Sequence, residues 1–118
     1  MNQLERIGEI IAAYSKHEWR LERGLLTPET SAELAKAGSQ LFAEKVVKEA
    51  AFDALWFARP SHAGREAWEL RLVGETPYAL FETFEADEAE EEREEVRREM
   101  EARLTEYTAS PLTIPRPS

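Results

Sequence analysis

Residues 52–84 read FDALWFARPSHAGREAWELRLVGETPYALFETF, and this stretch decides the fold. Its middle alternates: Trp68, Leu70 and Leu72 are apolar, with Glu69 and Arg71 between them. A period of two is that of a strand with one buried face. Upstream, Phe52 to Arg59 is rich in aromatic residues and ends at Pro60, which predicts a strand followed by a loop. Downstream, Tyr78 to Phe84 predicts a third strand, with Tyr78, Leu80 and Phe84 on one face and Ala79 and Phe81 on the other. The connections Pro60 to Arg65 and Gly74-Glu75-Thr76-Pro77 are short and turn-like. Three strands joined by short turns predict an antiparallel meander.

Helical patterns flank the meander. Leu4, Ile7, Ile11, Tyr14, Leu21 and Leu25 recur at helical steps and predict one amphipathic helix over residues 3–23, stopped by Gly24. Thr27-Pro28-Glu29 has the order of a cap, a first helical position and an N-terminal acid, which predicts a second helix from residue 28 to about residue 49. Gly38-Ser39 offers an alternative break within it. Residues 86–107 predict a third helix, with Ala89, Val96, Met100, Leu104 and Tyr107 along one stripe. The fold class is α+β: two N-terminal helices, a three-stranded meander and a C-terminal acidic helix, with the helices on one face of the sheet. Residues 1–108 form one domain, and residues 109–118, with Pro111, Pro115 and Pro117, form a proline-rich tail.

The 118 residues suit one core, and 42% hydrophobic residues are enough to build it. The chain has no cysteine, so disulfides, thiolate zinc sites and cysteine nucleophiles are excluded. Its densest apolar run, Ala54 to Ala58, is far shorter than a membrane span, and the first residues lack the apolar core of a signal peptide. A cytoplasmic protein with no membrane partner is the expectation. The net charge is −9, and residues 85–118 carry eleven of the acids against five basic residues. Such a surface repels phosphates, so nucleic acid is not an expected partner. No motif calls for a cofactor. His17 and His62 are the only histidines, and neither has a glutamate three residues before it, so no metal site is expected.

The acidic helix admits two readings. Glu91, Glu94 and Glu95 could face a basic partner. The same acids suit the N-terminal end of a helix, while Arg97, Arg98 and Arg103 suit its C-terminal end. Glu94–Arg98 and Glu99–Arg103 have the spacing of supporting pairs. Two charges fall inside apolar stripes: Glu18 on the first helix and Arg93 on the last. Burial of a lone charge is costly, so either Glu18 pairs with Arg93, within one chain or across a dimer, or each reaches water at an edge of the core.

Trp19 falls on the polar side of the first helix and joins Trp56 and Trp68 as an interface candidate. Arg59, His62 and Arg65 cluster around one hairpin loop and are candidates for an anion or ligand site. Ser61 beside His62 does not make a nucleophile–base geometry, no catalytic motif occurs, and no catalytic residue is assigned. The expected function is non-enzymatic protein–protein contact by a small acidic adaptor, accessory or regulatory protein, acting as a homodimer. The alternatives are an acidic inhibitor that blocks a basic or nucleic-acid-binding site, and a ligand binder or enzyme using the His62 loop.

Overall fold

A computed structural model describes residues 2–109. The elements run α1 (Gln3–Ser15), β1 (Arg20–Leu26), α2 (Pro28–Ala37), β2 (Val46–Glu49), β3 (Ala54–Pro60), β4 (Glu66–Leu72), β5 (Tyr78–Phe84) and α3 (Glu90–Ala109), with a short 3-10 turn at His62–Gly64. The fold is α+β. The expected meander is present as β3–β4–β5, but it is part of a five-stranded mixed sheet in the order β2-β1-β3-β4-β5. β1 runs antiparallel to β3 and parallel to β2. Apart from Ala109, the proline-rich tail lies outside the described residues.

The two added strands come from segments that the helical spacing assigned to helices. α1 stops at Ser15, and Glu18 takes the left-handed conformation at φ 69°, which turns the chain into β1. A bulge between Leu21 and Arg23 then shifts the strand by one residue. Leu21 and Leu26 therefore share one face, while Leu25 joins the other. The bulge spoils the alternation, and the four-residue step from Leu21 to Leu25 imitates a helix.

α2 stops at Gly38, whose φ of 63° is the left-handed helix end that glycine favours. Its start is as the sequence reads: the Thr27 hydroxyl accepts from the Thr30 N–H at 3.1 Å, with Pro28 next. Gly24, rather than stopping a helix, lies inside β1 under the Phe42 ring. A Cβ there would sit 2.6 Å from Phe42 Cε1, so this position has room only for glycine unless the ring moves.

The helices cover both faces of the sheet rather than one. Ile7 and Ile10 of α1 pack on Leu55, Phe57 and Leu26, with Leu34, Leu41 and Phe42 beside them. On the opposite face, Met100 and Leu104 of α3 pack on Trp56, Trp68, Leu70, Leu80 and Phe84. β3 carries side chains into both layers, so Ala54 to Ala58 are all buried. That explains the unbroken apolar run: a central strand has no solvent face to mark with polar residues. Asp53, just before β3, is buried and binds across to α1 and α2.

Candidate functional site

The α1 side of the sheet carries a groove of about 400 Å³ lined by Glu18, Arg59, Pro60, Ser61, His62, Ala67 and Phe81. Its parts are set by the sheet. Arg59 and Ala67 face each other across β3 and β4, and β5 places Phe81 opposite Glu69. α1 ends before it reaches this corner, so Phe81 remains 58% exposed. Among the described residues, β5 is also the last strand of the sheet and pairs only with β4.

Trp19 forms the wall behind Phe81. Its ring meets Phe81 edge-on at 6.3 Å and Tyr14 edge-on at 6.1 Å. The Arg59 guanidinium lies 4.8 Å from the Trp19 ring centre and donates to the His17 carbonyl at 2.6 Å. A cation held over an indole and bonded to main chain is a rigid support. Tyr14 in turn stacks on Phe57 at 4.1 Å. Its hydroxyl donates to Glu69, and burial, followed by that bond, pushes the phenol up to about 12. The proton that binds Glu69 is thus retained at neutral pH. A smaller hollow of about 240 Å³ between Tyr14, His17, Trp19 and Glu69 lies on this side as well.

The loop candidates separate. Arg59 and His62 line the groove, whereas Arg65 is paired with Glu85 at 3.0 Å. His62 is exposed in a turn where Ala63 and Gly64 are both left-handed, at φ 56° and 74°. Ser61 also lines the groove.

The interface candidates separate as well. Trp19 is half-buried beside the groove. Trp56 and Trp68 are buried in the layer under α3 and offer no surface to a partner. Glu91 and Glu95 lie on the exposed outer side of α3, where Glu95 is paired with Arg98. Glu94 does not pair with Arg98. It turns inward and receives both guanidinium nitrogens of Arg23, at 3.0 and 2.9 Å.

Glu18 and Arg93 are not brought together within the chain. Glu18 is exposed in the turn after α1, on the far side of the sheet from α3. Arg93 bonds Glu66 at 3.3 Å and the Glu85 carbonyl at 2.7 Å. The expectation placed Glu18 on a helix that ends three residues before it.

The inner side of α3 also holds an arginine that the sequence reading assigned to the helix dipole. Arg97 is 1% exposed, with its guanidinium 3.9 Å from the Trp68 ring centre. It donates to Glu90 and Glu94 at 2.8 Å each. Glu101 accepts from Trp56 Nε1 at 2.8 Å and from Lys48 at 3.0 Å, and Glu66 accepts from Trp68 Nε1 at 2.8 Å. Three acids of the region, Glu66, Glu94 and Glu101, therefore fasten the helix to the sheet, while Glu90 pairs with Arg97 within α3.

This gives a pH dependence with a definite sign. Hydrogen bonds from Arg23, then Arg97, hold the Glu94 carboxyl down at about 2 from its ordinary 4.5. Between those values the unfolded chain binds a proton that the folded chain does not, so stability falls as pH falls. The Glu94 contribution is complete above about pH 4.5 and is lost on descent to about pH 2. Urea titrations across that window should show a shallower pH slope for Glu94→Gln than for wild type.

Among the described residues, no helix is long and apolar enough to cross a membrane. Set against family models, curated proteins and solved structures, the chain matches none.

Proposed function

We propose that this chain acts by protein–protein contact, as a small adaptor or accessory protein, and that the groove beside Phe81 receives the partner. The carrying observation is Phe81, a large apolar residue 58% exposed on the last strand of the sheet, whose outer edge has no partner among the described residues. Exposed edges tend to recruit another strand, and an apolar side chain beside one supplies a recognition pocket. The fitting partner is an extended segment that pairs with β5 and sets an apolar side chain against Phe81 and Trp19. Arg59 and His62, which line the same groove, suit an acidic residue on that segment.

The test is affinity capture from the cell of origin with wild-type and Phe81→Ser baits, at low and high salt. A protein held by wild type at both salt concentrations and lost by Phe81→Ser supports the groove. Identical sets from both baits sink it. A second reading rests on the outer row of α3, where Glu91, Glu92, Glu95 and Glu99 are all exposed. This row would serve an acidic inhibitor of a basic site. Its partner would be retained by Phe81→Ser and lost at high salt, because its binding energy comes from exposed charge.

A further inference from the structure

The opposite end of the sheet carries a second edge of different character. Among the described residues β2 pairs only with β1, and all four of its residues are exposed, Val46 by 62% and Val47 by 40%. Two adjacent exposed valines on a bare edge are a pairing hazard unless something covers them. The flanking charges specify what fits. Residues 44–49 read Glu-Lys-Val-Val-Lys-Glu, the same in both directions. We infer that β2 pairs antiparallel with β2 of a second copy about a two-fold axis at Val47, joining two sheets into one.

Main-chain direction selects the register. The Ala50 N–H donates to the Leu26 carbonyl at 2.9 Å. In a parallel ladder, alternate residues direct both main-chain groups to the same neighbour. Val46 and Lys48 therefore face β1, and Val47 and Glu49 turn N–H and C=O outward. Lys45 uses its N–H on the Phe42 carbonyl at 2.9 Å, leaving its own carbonyl to the outer edge. With Val47 opposite Val47 of the second copy, the two valines exchange two hydrogen bonds. Each Glu49 N–H then meets the Lys45 carbonyl opposite.

The side chains agree with this register. Lys45 faces Glu49 of the second copy on either side of the valine pair, and Val46 lies against the aliphatic stem of Lys48. Opposite charges across strands are favourable, and like charges are not. A centre between Val46 and Val47 would oppose Lys45 to Lys48 and Glu44 to Glu49, and would set outward main-chain groups against inward ones. A centre at Val46 would require Glu44 opposite Lys48. Yet Lys48 is already held by Glu101 at 3.0 Å, and Glu44 leaves the strand conformation at φ 62°. A four-residue edge is a small interface, so the dimer belongs in the micromolar range of transient complexes. It uses none of the groove residues and stands whether or not the groove binds.

Sedimentation velocity of the full chain over a wide concentration range tests the inference. Wild type is expected to show a monomer–dimer equilibrium. Val47→Pro removes an outward N–H and no bond to β1, so the variant should be monomeric with an unchanged circular dichroism spectrum. Lys45→Glu and Glu49→Lys each create two like-charge pairs and should weaken self-association about tenfold. An equimolar mixture of the two should dimerise as wild type does, because each variant meets the complementary charge on the other. That recovery does not depend on Val47→Pro folding. A wild-type monomer at every concentration, or a mixture that stays weak, overturns the inference. So does loss of the dimer in Phe81→Ser, which would place the contact at the β5 edge.

Discussion

Arg97→Ala is expected to lower the unfolding free energy by about 3–4 kcal/mol, from the cavity left under α3. The side chain lies between Trp68 and Phe84, at 3.9 and 5.2 Å from the ring centres, and is almost wholly shielded from water. Its ion pairs are the smaller part of the effect. Glu90 has a side chain 68% exposed and can return to water, while Glu94 keeps both bonds to Arg23. Removing Arg97 therefore strands no buried charge. What disappears is the filling between two rings.

This assignment separates two variants. Arg97→Met fills the same space without charge and should remain within about 1 kcal/mol of wild type, as apolar replacements of buried ions often do. It also removes the buried Arg97 Nε, which has no hydrogen-bond partner among the described residues. Equilibrium urea unfolding of the two variants decides the matter. If Arg97→Met is as damaging as Arg97→Ala, the ion pairs rather than the packing hold the helix.

Arg97 also shows where the sequence was legible and where it was not. The last helix, its C-terminal position and its stripe through Met100 and Leu104 follow from periodicity. Arg97 lies on that same stripe, four residues from Arg93 and three from Met100. A charged residue in an acidic helix is ordinarily read as facing water, and only the tryptophan beneath it explains its burial. Trp68 follows the same logic in reverse, for a residue that would suit an interface is covered by an arginine.

β3, β4 and β5 were readable because short turns separate them and β4 alternates cleanly. β1 was hidden by its bulge. β2 was hidden because an edge strand with both faces exposed has no alternation to show. The groove was half legible. Arg59 and His62 stood out as a cluster of chemistry-bearing residues, and Trp19 stood out as an unplaced tryptophan. Phe81 was assigned to the correct face of its strand, but its exposure depends on where α1 ends, and that end was misplaced. The missing signal is local: a left-handed Glu18 leaves no periodic trace.

Asp53→Ala is the second large effect, expected at about 3–5 kcal/mol, because it deprives several buried or half-buried donors of one acceptor. Asp53 Oδ1 accepts from the Thr27 N–H at 2.8 Å, and Oδ2 accepts from the Thr30 hydroxyl at 2.6 Å and the Gln3 amide at 2.8 Å. A single carboxylate thus joins the start of β3 to α1 and to the first turn of α2, where negative charge also suits the helix dipole. Asp53→Asn keeps one acceptor oxygen and turns an N–H₂ toward the remaining donors, so its cost should be smaller, about 1–2 kcal/mol. Thr30→Val removes one of the donors, so combining it with Asp53→Ala should cost less than the sum of the two. Additive losses in that cycle would show that the bond between them contributes nothing. The consequence reaches the sheet edge. α2 leads through Phe42, which packs over Gly24, into β2. Loosening the α2 start should therefore raise amide hydrogen exchange in residues 38–49 before the β3–β4–β5 core opens.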